Sequence, residues 1–232
     1  MINLTVDGRK IEVAEGTTVL EAARAAGIHI PTLCHHESLT PYGACRFCMV
    51  EVTHRKRTKM FTSCTLPVSE GMEVATHTNK VIKVRRILAE LMLARCPHSE
   101  PVIEIAHELG IEKSRFQSPR ASESCLVGEH GECILCGMCV RLCDDVMKVG
   151  ALAFEGRGGY RTVTTPFREV SDVCRLCGAC ESICPTGSIQ QAKIRDHEPT
   201  DIPFEFEQGL ATRKPIFLQF PQAVPRVPVI DP

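Results

Sequence analysis

One cysteine pattern occurs twice in this chain. Cys133, Cys136, Cys139 and Cys143 form C-x2-C-x2-C-x3-C, and Cys174, Cys177, Cys180 and Cys184 repeat it, each position displaced by 41 residues. Three thiolates at this spacing wrap one face of a cubane, while the fourth points away and ligates the cluster of the other copy. A chain built so must bring its two copies together, whatever the hydrophobic pattern between them. The spacing predicts one [4Fe–4S] cluster on Cys133, Cys136, Cys139 and Cys184, and a second on Cys174, Cys177, Cys180 and Cys143. Pro185 gives the second copy the usual Cys-Pro ending, whereas Asp144 follows Cys143. The alternative metal is zinc, but four-cysteine zinc sites use pairs of C-x2-C knuckles rather than two four-cysteine runs.

The chain carries 14 cysteines in 232 residues. Four more, Cys34, Cys45, Cys48 and Cys64, are spaced C-x10-C-x2-C-x15-C. This is not the plant-type C-x4-C-x2-C spacing. A loop cysteine, a close pair and a distant fourth still suit a [2Fe–2S] rhomb with two thiolates per iron; a zinc site on the same thiolates is the alternative. The segments around them read as strand, turn, strand, helix. Ile2, Leu4 and Val6 alternate with polar residues, Asp7-Gly8 is a hairpin turn, and Ile11 and Val13 alternate again. Thr17 or Thr18 can cap a helix carrying Val19, Leu20, Ala23 and Ala26, with Gly27 as its stop. Strand patterns recur over Phe47–Val52, ahead of Cys64, and over Met72–Ala75. A small mixed sheet clasping one helix is the economical packing.

Residues 79–95 predict an amphipathic helix with Val81, Val84, Leu88, Leu91 and Met92 on its apolar face and Lys83, Arg86 and Glu90 elsewhere. Pro101 to Gly110 predicts a second short helix. Residues 112–131 read as a polar linker. The Gly156–Gly159 stretch predicts a hairpin turn between the two cysteine motifs; it is not a G-x-G-x-x-G nucleotide loop. Seven of the 15 Pro and four of the 9 Phe fall in 196–232, which excludes regular helix or central strand there and predicts an extended arm.

The segment PTLCHHESLTPYGACRFCMVEV resembles the [2Fe–2S] domain of the large peripheral iron–sulfur subunit of complex I and of the diaphorase iron–sulfur subunit of NAD-linked hydrogenases. The segments SRF (114–116), CILCGMCVRLCDD (133–145) and CRLCGACESICPTGSI (174–189) resemble the same family, over about residues 1–190. The resemblance implies an α+β chain: a β-grasp [2Fe–2S] domain over 1–78, a helical connector over 79–131, a bacterial-type 2[4Fe–4S] ferredoxin domain over 132–195 and the proline-rich arm over 196–232. That family usually carries a further [4Fe–4S] held by one His and three Cys in the connector. Here only Cys96 and His98 stand close together, so that cluster is expected to be lost and Cys96 to be a structural thiol; Cys125 is the other leftover cysteine. The tail RKPIFLQFPQAVPRVPVIDP (213–232) resembles a passage in flavoprotein subunits of the heterodisulfide reductase type, where it precedes an FAD domain.

The net charge of −1 argues against a nucleic-acid partner. No apolar run approaches the ~20 residues of a membrane span, and the first ten residues lack a secretory h-region, so a cytoplasmic location is expected. His35 and His36 neighbour Cys34, but a Rieske centre needs histidines in both ligand pairs and Cys45-x2-Cys48 offers none. Arg46, Arg141 and Arg175 lie beside or near ligating cysteines; they either tune cluster potentials or are solvated surface arginines. No catalytic residues are expected. The chain reads as an iron–sulfur relay passing single electrons between a flavin/NAD(P)(H)-binding diaphorase partner and a hydrogenase, formate dehydrogenase or heterodisulfide-reductase-like subunit. The alternatives are the N-terminal electron-input module of a heterodisulfide-reductase-type FAD subunit, and a zinc-stabilised scaffold.

Overall fold

The computed structural model describes residues 1–117, 132–166 and 171–189. Strand β1 (Ile2–Val6) turns at Asp7 and Gly8, both at positive φ (46° and 81°), into the antiparallel β2 (Arg9–Val13), with Val6 opposite Arg9. Positive φ at both turn residues is what a two-residue hairpin of the right twist requires. Helix α1 (Val19–Ala25) starts at a capping box: the Thr18 hydroxyl accepts from the Glu21 N–H while the Glu21 carboxylate accepts from the Thr18 N–H. It stops at Gly27, in the left-handed region, with the Ile28 N–H donating back to the Ala23 carbonyl at 2.9 Å.

Strands β3 (Met49–His54), β4 (Arg57–Thr62) and β5 (Met72–Ala75) complete a mixed sheet in the order β2-β1-β5-β3-β4, in which β1 and β5 are parallel. Val19, Leu20, Ala22 and Ala23 of α1 pack on Leu4, Val6, Val50, Val52 and Val74. This is the β-grasp arrangement, and Cys48 and Cys64 belong to its core.

Helix α2 spans Asn79–Arg95, capped by the Thr78 hydroxyl. Its buried face differs from the one expected. Val81, Arg85, Ala89, Glu90, Leu93 and Ala94 point inward, while Leu91 is 46% exposed. Two polar side chains turn the face. Arg85 donates through Nε and Nη2 to the Phe47 and Met49 carbonyls, each at 2.8 Å, and buried Glu90 accepts from Arg115 at 2.6 Å. Hydrogen bonds to the sheet and to the chain beyond α3 thus outweigh the burial of one more leucine. Helix α3 (Glu100–Glu108) has Pro101 in its first turn and ends at Gly110 in the left-handed region.

A second core joins Ala89, Leu93, Cys96, Val102, Ile105 and Ala106 to Ile134, Met138, Leu152, Val163 and Ile189. Leu33, Cys34, Leu39, Cys45 and Phe47 of the β-grasp domain belong to this core too. Within it, helix α4 (Met138–Arg141) widens into a π-helical turn over Leu142–Val146, the place where Asp144 stands instead of proline. Strands β6 (Ala153–Glu155) and β7 (Thr162–Thr164) form the expected hairpin. Gly156 is needed there: a Cβ would lie 2.6 Å from the Tyr160 carbonyl oxygen. Helix α5 (Ala179–Ser182) follows the second cysteine loop. No described helix is long and apolar enough to cross a membrane. Residues 118–131, Cys125 among them, and the proline-rich arm lie outside the described residues.

Candidate iron–sulfur centres

The four N-terminal cysteines meet where the two cores meet. All four are buried. Cys34 and Cys45 sit in the second core, Cys48 and Cys64 in the β-grasp core. The Cys45 N–H donates to the Cys34 sulfur at 3.3 Å, and the Cys48 and Cys64 sulfurs are 3.3 Å apart. The thiols therefore fall into two pairs, which is what a rhomb with two thiolates per iron needs. Within each pair the hydrogen bond lowers one thiol and raises the other. The Cys45 hydrogen bond holds Cys34 down at about 6 and the Cys64 hydrogen bond holds Cys48 down at about 6, while Cys45 and Cys64 are pushed up as the donors. Arg46, at φ 62°, turns the chain between Cys45 and Cys48.

Each of the two later motifs has a fourth cysteine that acts electrostatically on the other motif. Cys133, Cys136 and Cys139 lie within electrostatic reach of Cys184, and Cys174 within reach of Cys143 and Cys177. Cys143, Cys174, Cys177 and Cys180 together line one cavity. Both loops turn through the same left-handed positions, Leu135 and Gly137 in the first copy and Leu176 and Gly178 in the second, again 41 residues apart. These turns aim successive thiols at one side. Cys133, Cys136 and Cys139 are buried; Cys143, Cys174, Cys180 and Cys184 are half-buried and Cys177 is exposed. Burial pushes Cys136 up to about 12 and Cys180 up to about 11, and raises Cys133 and Cys139 as well. Thiols this reluctant to ionise in isolation become stable thiolates when bound to a cationic metal. Arg95 anchors the first loop by donating to the Cys133 carbonyl at 2.8 Å, and the Ala151 N–H donates to the Cys143 sulfur at 3.3 Å.

Sequence reasoning missed one residue. Arg85 is 2% exposed, and among the described residues no carboxylate forms an ion pair with it. Its cationic form is favoured by Cys48 and, to a smaller extent, by Asp7, against the desolvation that lowers its pKa. A buried cation without a paired anion is costly. An anionic iron–sulfur group on the neighbouring thiolates is the countercharge it lacks, so the residues present fit that group. The partners that bury Arg85, the Phe47 and Met49 carbonyls, lie 38 and 36 residues away, so the helical period carried no signal for it. His36 accepts from the Ser38 N–H through Nδ1, Cys96 is fully buried with its thiol pushed up to about 12, and His98 stands exposed beside it. Among the described residues no three His, Cys, Asp or Glu side chains converge as ligands of a single metal ion.

Both cysteine-bearing regions match known domain families. Residues 1–79 match the 2Fe-2S iron-sulfur cluster binding domain family and residues 132–188 the 4Fe-4S dicluster domain family. The chain is 32% identical over 204 residues to the NADPH-Fe(3+) oxidoreductase subunit alpha of Geobacter sulfurreducens, covering 82% of this chain and 24% of that one. It is 32% identical over 212 residues to the NADP-reducing hydrogenase subunit HndD of Solidesulfovibrio fructosivorans, covering 82% and 36%. The chain thus spans between a quarter and about a third of these curated relatives. A chain in the crystal structure of an NAD+-reducing [NiFe]-hydrogenase in the H2-reduced state superposes with a TM-score of 0.68 at 30% identity, covering 82% of this chain and 86% of that one. A [2Fe–2S] cluster and at least one [4Fe–4S] cluster follow from the two domains. The chain belongs to the family of iron–sulfur electron-transfer subunits of NAD(P)-linked hydrogenases and oxidoreductases.

Proposed function

We propose that the chain is a three-centre relay. Cys34, Cys45, Cys48 and Cys64 hold the [2Fe–2S] cluster; Cys133, Cys136, Cys139 and Cys184 hold a buried [4Fe–4S]; Cys174, Cys177, Cys180 and Cys143 hold a second [4Fe–4S] at the surface. The clusters supply one-electron storage, which a flavin needs if it is to split the electron pair of a hydride. The protein contributes burial, orientation and fixed charge. The order is carried by one observation: Cys34 and Cys136 belong to one shared core, while the second motif includes the exposed Cys177. That order runs from the β-grasp domain inward and out again, as a relay between two partners requires. The domain limits proposed are 1–78, 79–131, 132–195 and 196–232. The partners proposed are a flavin/NAD(P)-binding diaphorase subunit on one side and a hydrogenase, formate dehydrogenase or similar redox subunit on the other, in the cytoplasm.

Iron, acid-labile sulfide and zinc, counted on anaerobically purified chain, test this reading. Three clusters need about ten iron per chain. About six iron would remove the second cubane from the proposal, and stoichiometric zinc with little iron would overturn it. The chain alone should not oxidise NADH; robust turnover without a flavin-binding partner would overturn the relay.

A further inference from the structure

Of the three arginines beside the cysteine motifs, Arg46 and Arg175 are exposed. Arg141 is not. It lies on α4 between Cys139 and Cys143, and reaches across to the β-grasp domain. There its Nη1 donates to the Thr40 carbonyl at 2.6 Å, and its guanidinium lies 4.9 Å from the centre of the Tyr42 ring. Its Nε and Nη2 are buried and have no hydrogen-bond partner among the described residues. Neither is it ion-paired to any described carboxylate. Two buried guanidinium nitrogens with idle donors on a half-buried arginine are unfavourable unless an anion faces them. Thr40 and Tyr42 belong to the loop between Cys34 and Cys45, so the guanidinium stands against the segment that joins these two cysteines. The second motif has Ser182 at the corresponding position, and that hydroxyl donates locally to the Ala179 carbonyl. The two copies therefore differ at position 141, where the first copy reaches the β-grasp domain through a cation and the second keeps a local hydroxyl.

We propose that Arg141 is a positioning residue that raises the reduction potential of the [2Fe–2S] centre from across the domain boundary. The inference rests on the reading that Cys34, Cys45, Cys48 and Cys64 hold the [2Fe–2S] cluster. The sign follows from charge. An electron added to the centre makes it more negative, and a fixed cation stabilises that form. Tyr42 and Thr40 restrict the guanidinium, so little reorganisation accompanies the charge change. The arrangement also makes the effect depend on the docking of the two domains, since the cation belongs to one and the cluster to the other.

The test is an EPR-monitored redox titration of the full anaerobic chain with dithionite as reductant, on the unaltered protein, Arg141→Gln and Arg141→Lys, with iron and sulfide counted in each. In Arg141→Gln the equilibrium constant for reducing the [2Fe–2S] centre should fall about tenfold, a drop of about 59 mV for a one-electron couple. Arg141→Lys keeps the charge and should stay within about threefold. A fully loaded Arg141→Gln with an unmoved midpoint overturns the proposal. So does an Arg141→Lys that falls as far as the glutamine variant, because the role is then structural. If Arg141→Gln fails to load, the lysine variant decides alone on the same criterion. Absence of any [2Fe–2S] signal in the unaltered chain would instead overturn the ligand reading beneath it.

Discussion

Set side by side, C-I-L-C-G-M-C and C-R-L-C-G-A-C turn through the same backbone. Leu135 and Leu176 have φ of 55° and 49°, and Gly137 and Gly178 have φ of 71° and 72°. What differs is what surrounds the turns. Ile134 and Met138 are buried in the first copy, and their counterparts Arg175 and Ala179 are exposed and half-buried. Ligand spacing thus sets the loop, while the residues between the ligands set how deep it lies. Depth matters for a relay, because burial and solvent exposure tune cluster potential and access. The first copy lies deep and the second lies near the surface.

The largest effect should come from breaking the proposed exchange of cysteines. Cys184 belongs to the second motif in sequence but acts electrostatically on Cys133, Cys136 and Cys139 of the first. Cys184→Ser should therefore remove about four iron and abolish the signal of the buried [4Fe–4S], leaving the exposed one. Cys143→Ser should do the reverse. EPR of each reduced variant, read with its iron count, decides between exchange and two self-contained motifs. If Cys184→Ser silences the solvent-accessible centre, the exchange is wrong.

Next comes depth itself. Ile134→Arg gives the first copy the residue of the second, and sets an unpaired charge at a buried position. A cost of about 3–5 kcal/mol is expected, read as a fall of roughly 6–20 °C in Tm for a chain of this size. Gly137→Ala should cost less. The left-handed conformation strains a non-glycine residue by about 1–2 kcal/mol. The new Cβ would also stand 3.1 Å from the Phe154 ring. Pairing it with Phe154→Leu should recover the steric part and leave the backbone part. A double variant no better than the single would mean that the ring is not what the glycine avoids.

How much of this was written in the chain differs between local and shared structure. The Asp7-Gly8 hairpin, the Thr18–Glu21 box, the span of α2 and the β6–β7 hairpin each follow from a few adjacent residues, and each could be read directly. The inward face of α2 could not. Arg85 and Glu90 are buried by carbonyls and by an arginine distant in sequence, which no helical period encodes. For the cysteines, spacing carries the grouping, because loop stereochemistry is local. That Cys34 and Cys45 would enter one core and Cys48 and Cys64 the other depends on how two domains pack. The role of Arg141 lay equally out of reach. Sequence places it between two cysteines, as it places Arg175 beside one, and only the fold separates the half-buried cation from the solvated one.

That separation gives the smallest of the expected effects. Arg175 is exposed near exposed Cys177, at the edge of the cavity lined by Cys143, Cys174, Cys177 and Cys180. Arg175→Ile should change stability by no more than about 0.5 kcal/mol. Its charge still contributes to the field a reductant meets at the surface centre, and rim charges act on encounter rates more than on affinity. Reduction by dithionite, an anion, should slow by about twofold at low salt, and the difference should vanish near 1 M salt, where the screening length falls to about 3 Å. A neutral reductant should show no difference at any salt. Stopped-flow reduction across that salt series separates the two arginines. Salt should not erase the effect of the half-buried one at position 141, because its guanidinium acts through protein rather than through solvent. If both effects vanish together with salt, burial does not distinguish them and the contrast between the two motifs loses its electrostatic half.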